Sequence, residues 1–492
     1  MNYMSPSNRF VSRMRHVHMI GIGGSGMSGI AEVLHNLGFS VSGSDCKASA
    51  TTERLAGLGI TVYLEHHARW VKNADVVVYS SAVPDDNPEI QAAGILHKPL
   101  LSRAEMLSEL MRFKIGIAVA GTHGKTTTTS LIASIMAAGG LDPTFVIGGL
   151  LNSAGTHAAL GNSEYLVAEA DESDGSFQLL QPVLAVVTNI DADHMQTFGG
   201  DFDKLQRAFD NFLHHLPFYG VAALCVDDPA VSRLAERLPR HHIGYGLGDQ
   251  ADLQAVKVRQ QGHRMIFDLR RDGQLLAADM ELSLPGKHNV QNALAALAIG
   301  LELNIDIGAM GQALGSFAGI GRRFNRYSGL QASGGRFTLI DDYAHHPTEL
   351  RAVIGAVRAG WPDRRLVLVF QPHRYSRTRD LFDEFSAVLD QADALLVTDV
   401  YAAGESPVSG AGAPDLCRSV RNRGRLDPVY VSQVSDVPEA LDRLLHDGDI
   451  VLLAGAGDIA GIARYMALHG GTRPRLAEPA GGDNKTVGDT HG

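Results

Sequence analysis

Gly121-Thr122-His123-Gly124-Lys125-Thr126-Thr127 follows directly on the apolar run Ile115-Gly116-Ile117-Ala118-Val119-Ala120. Six apolar residues ending at a glycine read as a buried strand, and the Thr- and Ala-rich stretch beyond Lys125 reads as a helix. A strand that breaks into a Gly-rich loop and then a helix places this chain among the α/β folds. The loop also has a chemistry. Glycines let the backbone curl so that successive N–H groups face phosphate oxygens, and the helix start adds partial positive charge. Lys125 can neutralise β- and γ-phosphates, and the Thr126 hydroxyl can ligate Mg²⁺. The usual phosphate-loop spacing asks for glycine where this chain has Val119, so the loop is a shorter variant.

Working outward, the same pattern recurs. Apolar runs His16 to Ile20, Tyr165 to Ala168, Leu184 to Val187, Leu366 to Phe370 and Val451 to Ala454 each end at a polar or glycine-rich loop. Ligands of such sheets sit at the carboxyl ends of the strands. The first run opens Gly21-Ile22-Gly23-Gly24-Ser25-Gly26, with Asp45 about 20 residues on at the end of a second strand. That spacing suits a pyrophosphate on a helix start, from a dinucleotide or a nucleotide sugar alike; a purely structural turn stays open. Glu169-Ala170-Asp171-Glu172-Ser173-Asp174 follows a strand that should abut the phosphate-loop strand, where a carboxylate can hold Mg²⁺. A solvated charge run is the alternative. Thr188-Asn189-Ile190-Asp191-Ala192-Asp193-His194 caps the next strand, with His194 as a metal-ligand candidate or a structural histidine. Near the C-terminus lie Asp341-Asp342-Tyr343-Ala344-His345-His346-Pro347 and Gln371-Pro372-His373-Arg374-Tyr375-Ser376-Arg377. Arg374 and Arg377 beside His373 suit bidentate capture of a carboxylate, unless the loop is simply exposed and basic.

The 492 residues favour about three domains of ~150 residues each. We expect boundaries at 1–113, 114–322 and 323–472: an N-terminal Rossmann-like domain, a central ATP-binding α/β domain and a C-terminal Rossmann-like domain. A disordered, Gly- and Pro-rich tail is expected at 473–492. The net charge of −11 argues against nucleic acid as a general partner. Cys46, Cys225 and Cys417 are scattered, which excludes a disulfide framework and fits a reducing cytoplasm. Arg9, Arg13 and Arg15 precede no apolar run, so no signal peptide is read, and no stretch is apolar enough to span a membrane.

Together these elements resemble the Mur ligases of bacterial cell-wall synthesis over about residues 16 to 465. The carrying stretches are Gly21 to Gly29, Gly121 to Thr129, Ala168 to Phe177, Thr188 to Met195, His288 to Ala293, Asp341 to Glu349 and Gln371 to Thr378, in that order. The resemblance implies a first domain for a UDP-sugar, a middle one for ATP, and a last one that closes over both and helps bind an amino acid. It implies that Gly121, Thr122, His123, Gly124, Lys125, Thr126 and Thr127 hold ATP, with Thr126, Glu169 and His194 at the metal. His288 and Asn292 would reach the adenine, and Arg323 with Asp341 or Asp342 would serve the nucleotide. Gly21, Gly23, Gly24, Ser25, Gly26, Asp45, Ser80 and Ser81 would face the UDP-sugar. Tyr343, His345, His373, Arg374 and Arg377 would surround the amino acid. Several members carry a carbamylated lysine on the helix after the metal-binding histidine. Here that helix, Phe202 to Leu213, has only Lys204, more than a turn too early, so an unmodified site is expected.

Within the family the motifs lean to members that join L-alanine to the lactyl carboxylate of UDP-N-acetylmuramate. The expected chemistry is ATP-dependent, through an acyl phosphate, with Lys125, Glu169, His194 and His345 as catalytic candidates. The residues do not identify the base for the amine; His345 is a candidate by position. Ligation of a preformed tripeptide to the same sugar is the nearest rival. A folate polyglutamate ligase fits less well because of the N-terminal pyrophosphate loop. From another class, a nicotinamide-dependent oxidoreductase could be built on Gly21 to Gly26. The oligomeric state stays open, a homodimer included.

Overall fold

The computed structural model describes residues 14–112, 114–151 and 156–472; for Ser25, 148–151 and 156–159 it describes the backbone alone. The expected tail at 473–492, and Arg9 and Arg13, lie outside these residues. Three sheets carry the fold. The first is β1 (His16–Ile20), β2 (Ser40–Ser44), β3 (Thr61–Tyr63), β4 (Val76–Tyr79) and β5 (Leu100–Ser102), ordered β3-β2-β1-β4-β5. All its pairings are parallel, the Rossmann arrangement expected from the first glycine loop.

The second sheet has ten strands: β6 (Ile115–Ala120), β7 (Thr144–Leu151), β8 (Thr156–Ala159), β9 (Tyr165–Glu169), β10 (Leu184–Val187), β11 (Val221–Cys225), β12 (His241–Gly246), β13 (Leu253–Gln261), β14 (Arg264–Arg271) and β15 (Gln274–Leu282). β6 lies between β9 and β10, parallel to both, with Val119 opposite Glu169 and Ala120 opposite Val187. The phosphate loop, the acidic cluster and the Thr188 loop therefore leave one sheet edge side by side. β6 and β10 are buried over nearly their whole length, which explains why they read as unbroken apolar runs rather than alternating ones. The antiparallel β13–β15 meander extends this sheet beyond the parallel core.

The third sheet is β16 (Asn325–Ala332), β17 (Gly335–Asp342), β18 (Leu366–Phe370), β19 (Ala394–Thr398), β20 (Val429–Val431) and β21 (Ile450–Ala454), ordered β16-β17-β21-β18-β19-β20. Only β16 runs antiparallel.

The chain divides into two compact units that meet between Gly321 and Arg322. The first holds both the Rossmann sheet and the ten-stranded sheet. A single hydrophobic cluster links them: Met106, Leu107, Leu110 and Met111 of helix Arg103–Arg112 join Ile30 and Val78 of the first layer to Phe177 and Phe209. The second unit has its own cores on the two faces of its sheet, around Phe385 and Leu452 on one side and Leu339 and Leu453 on the other.

Candidate active site

In the first unit the phosphate loop is held from below by the loop after β10. Thr188 Oγ1 donates to His123 O at 2.6 Å, His123 N donates to Asn189 Oδ1 at 2.9 Å, and Asp191 N donates to Thr122 Oγ1 at 2.9 Å. His123 Nε2 lies 3.1 Å from Asp191 Oδ2. Gly121 and Gly124 adopt φ of +125° and +83°. A Cβ on Gly121 would stand 2.1 Å from Thr188 Oγ1, so this loop needs glycine for space as well as torsion. Helix Lys125–Ala138 then starts at Gly124 with no side-chain cap, leaving its first N–H groups directed into the loop. Thr127 is buried in its first turn. Asn292 packs beneath Gly124, accepting from Thr128 Oγ1 at 3.3 Å and donating to Asn289 Oδ1 at 3.2 Å. His288 lies in the first turn of the same helix, Lys287–Glu302.

Lys125 Nζ donates to Gly121 O at 2.7 Å, Thr122 O at 3.0 Å and Glu172 Oε2 at 2.7 Å. Burial alone would lower its pKa, but the Glu172, Asp171 and Glu169 carboxylates more than offset that and hold it above the usual range. One ammonium cannot neutralise three carboxylates. Glu172, 1% exposed, is the one that gives way: burial pushes it up to about 7 against the pull of Lys125, with Asp171 adding repulsion. Asp171 stays below its usual value, since Lys125 and Arg103 outweigh its own desolvation. Glu172 Oε1 is buried without a hydrogen-bond partner, so the site holds polar capacity that its own side chains do not use.

Thr126 Oγ1 donates to Glu169 Oε2 at 3.2 Å. A hydroxyl and a carboxylate at that separation are hard oxygen donors of the kind Mg²⁺ takes, so the residues present fit the ion. His194 follows β10 on the other flank of β6, at φ +55° and 3.6 Å from Asp193 Oδ2. Helix Phe202–His214 comes next. Its Lys204 is in the first turn, and Asp210, one turn before its end, pairs with Arg237.

The first glycine loop is equally constrained. Gly21 takes φ +77° against Ser80, and Gly23 N donates to Asp45 Oδ2 at 2.9 Å. Asp45 thus ties the loop to β2. Ser80 accepts from Ala82 N, and Ser81 is exposed next to it. Ser25 opens helix Ser25–Asn36; its side chain is outside the described residues. A cavity of about 210 Å³ brings the two halves of this unit together, lined by Gly24, Gly26, Ser80 and Arg103 on one side and Glu169 and Asp171 on the other. Arg103 Nη2 is 3.6 Å from Asp171 Oδ2. Sequence reading named Glu172 only within its acidic cluster, and it missed Arg103 and the loop-bracing role of Thr188 and Asn189. The one available signal for Arg103 was its place just past the end of a strand.

In the second unit Asp342 accepts from Phe324 N at 2.9 Å and Ala344 N at 2.8 Å; burial pushes it up to about 6, opposed by Arg323. Asp341, also raised by burial, pairs with Arg322 at 3.4 Å. The Arg322 and Arg323 guanidinium carbons lie 5.1 and 5.3 Å from the Tyr343 ring. From there an aromatic row runs Tyr343, His345, His373, Tyr401, with centroid spacings of 5.3, 5.8 and 5.6 Å. His345 Nδ1 is 3.0 Å from Tyr343 O and 3.3 Å from Glu349 Oε2. His373 is pushed down to about 4, by burial first and then by the positive charge of His345, Arg377 and Arg374. The neutral ring can therefore accept from Arg377 Nη1 at 3.2 Å. Arg374 stands at φ +68° with its N–H on Tyr401 O. The structure thus gathers Tyr343, His345, His373, Arg374 and Arg377 in one cluster.

Comparison with known proteins covers the same ground. Three family models match in order: "Mur ligase family, catalytic domain" on residues 16–115, "Mur ligase middle domain" on 119–300, and "Mur ligase, glutamate ligase domain" on 322–457. Among solved structures, a UDP-N-acetylmuramate–alanine ligase from Thermotoga maritima is 27% identical, over 92% of this chain and 98% of that one, with a TM-score of 0.78. A UDP-N-acetylmuramate:L-alanyl-gamma-D-glutamyl-meso-diaminopimelate ligase from Neisseria meningitidis is 30% identical, over 62% of this chain and 99% of that one, with a TM-score of 0.57. A murein peptide ligase from Psychrobacter arcticus, 24% identical over 92% and 98% with a TM-score of 0.65, shares the fold.

Proposed function

The chain belongs to the Mur ligase family, and from that premise we propose that it joins L-alanine to the lactyl carboxylate of UDP-N-acetylmuramate at the expense of ATP, in peptidoglycan precursor synthesis. The observation that carries this reading is the cavity in which the first glycine loop, Ser80 and Arg103 meet Glu169 and Asp171 beside the phosphate loop. A pyrophosphate cradle and a phosphoryl-transfer edge on one cavity are what a ligase acting on a nucleotide sugar needs. The Thermotoga protein, similar over nearly the whole chain, is a UDP-N-acetylmuramate–alanine ligase.

In this reading the N–H groups of Gly121 to Thr127 and the Lys125 ammonium bind the ATP phosphates. Thr126, Glu169 and His194 would hold Mg²⁺, with Lys204 unmodified; the ion would supply charge stabilisation of the phosphoryl group. A sugar carboxylate oxygen attacks the γ-phosphorus and ADP leaves, giving an acyl phosphate. The amine nitrogen of L-alanine then attacks the acyl carbon, phosphate departs, and the amide remains. Glu172 keeps Lys125 directed into the loop. His288 and Asn292 are assigned to the adenine side, and Arg323 with Asp341 or Asp342 to the nucleotide. Tyr343, His373, Arg374 and Arg377 are assigned to L-alanine, and His345 to the proton its amine releases. The acyl phosphate is water-sensitive, so excluding water from this half-open cavity would favour ligation over hydrolysis. ATP and UDP-sugar pools place such an enzyme in the cytoplasm; no described helix is long and apolar enough to cross a membrane.

The second reading is ligation of a preformed tripeptide to the same sugar, favoured by the 30% identity to the Neisseria ligase over its matched portion. Phosphate release from ATP and UDP-N-acetylmuramate, measured with L-alanine and with the tripeptide in parallel, separates the two. Turnover with L-alanine alone is expected. Turnover with the tripeptide alone would replace the first reading by the second.

A further inference from the structure

A polar chain with a buried centre runs through the Rossmann layer on the side of β2 and β3. His16 Nε2 lies 2.7 Å from Ser42 Oγ, and Ser42 Oγ lies 2.8 Å from His18 Nδ1. His18 Nε2 reaches Glu89 Oε2 at 2.7 Å, both groups fully buried. Glu89 sits on helix Pro88–Ile95 and also accepts from Ser44 Oγ at 2.9 Å and His67 N at 3.1 Å. The Glu89 Oε1 that takes the His67 N–H also lies 3.1 Å from His66 Nδ1, and His66 Nε2 lies 3.3 Å from Cys46 Sγ. Burial alone would raise Glu89, but the hydrogen bond and charge of His18, with Ser44 and His66, hold it below its usual value. A carboxylate can only accept, so His66 Nδ1 is the donor and its Nε2 lone pair in the neutral ring faces the thiol. Nucleophile, base and orienting carboxylate thus stand in the order that activates a cysteine.

We propose that Cys46, His66 and Glu89 form such a relay, making Cys46 a site of thiol–disulfide exchange with small-molecule disulfides at the foot of the first glycine loop. Cys46 is exposed, whereas Cys225 and Cys417 are buried, with thiols pushed up by desolvation to about 12 and about 11. In the exchange the Cys46 proton passes to His66 Nε2 and its sulfur attacks one sulfur of the disulfide. The S–S bond breaks, and the leaving thiolate takes the proton from the imidazolium. Cys46 ends oxidised in a mixed disulfide, and half of the reagent is reduced to free thiol. The adduct lies directly beside Asp45, whose carboxylate anchors Gly23, so modification should disturb nucleotide binding. This last consequence rests on the reading of that loop as the UDP-sugar cradle.

The test treats the full chain with oxidised glutathione and follows each cysteine by mass spectrometry. Cys46 should react selectively, on the order of a hundred-fold faster in the native wild type than in His66→Gln, the low end of what a positioned base supplies. A second comparison needs no variant: native Cys46 should also outpace Cys46 of the same protein in urea, where the relay is gone. Equal rates in both comparisons would overturn the proposal. UDP affinity by calorimetry should fall in the glutathionylated wild type and stay unchanged in Cys46→Ser exposed to the same reagent. Undiminished affinity in the adduct would overturn the coupling to the cradle. If the unmodified protein fails to bind UDP, the cradle reading falls, and the exchange rates still decide the chemistry of the thiol.

Discussion

At the scale of single residues, Lys125 and Glu172 illustrate how charge is balanced at the phosphate loop. Lys125→Ala removes the cation, and Glu172, already raised to about 7 by burial, can take up a proton in its place. The variant should therefore stay folded while losing on the order of a thousand-fold in turnover, the several kcal/mol one charge stabiliser supplies. Phosphate release and thermal unfolding check this together; near-normal release would remove Lys125 from the reaction. Arg377→Ala should raise KM for L-alanine by about ten-fold or more, with little change for ATP, because the carboxylate it is assigned to stays charged throughout. An unchanged alanine KM would take Arg377 out of that role. His373 makes a pH prediction. Its folded value of about 4 lies below the usual 6.5, so between those limits the unfolded chain binds a proton the folded one does not. Stability is then complete above pH 6.5 and falls as the pH drops toward 4. Asp342, raised to about 6, contributes with the opposite sign, so the measurement must be a difference. His373→Gln should lose less melting temperature between pH 7 and pH 5 than the wild type does.

At the scale of elements, the loop after β6 is held in shape because two strands flank β6 and lend it their loops. The β10 loop braces the backbone and the β9 loop supplies the carboxylates. Gly121 is where these demands collide: its φ of +125° and the 2.1 Å approach of a Cβ to Thr188 leave no room for a side chain. Gly121→Ala should shift the loop at a cost of about 1–3 kcal/mol and weaken ATP binding by roughly ten-fold or more. Gly57→Ala, at a helix end with open space around it, should do neither. Calorimetry with a non-hydrolysable ATP analogue and thermal unfolding of both variants decide it; equal behaviour would mean that Gly121 is not under strain.

At the scale of the whole molecule, two compact units share the assigned work. The first holds both glycine loops over a shared hydrophobic cluster, and the second holds the His–Arg cluster. Calorimetry should find binding of UDP-N-acetylmuramate and none of NADH. In a nicotinamide site the acid after the second strand reads the ribose, whereas Asp45 Oδ2 is already engaged by Gly23 N. Saturable NADH binding without UDP-sugar binding would restore the oxidoreductase reading. The sequence alone determined the α/β class and the strands that end at functional loops, because buried parallel strands are short apolar runs and phosphate-binding turns need glycine. It also singled out the loops that the structure gathers at the strand ends around β6 and in the His–Arg cluster. Tertiary structure decided what sequence distance hides. Arg103 reaches Asp171 across 68 positions, Glu172 is the carboxylate that yields its charge, and Thr188 and Asn189 serve as braces for the loop. Each of those outcomes depends on burial and on which strands lie next to β6, and neither is a local property of the chain.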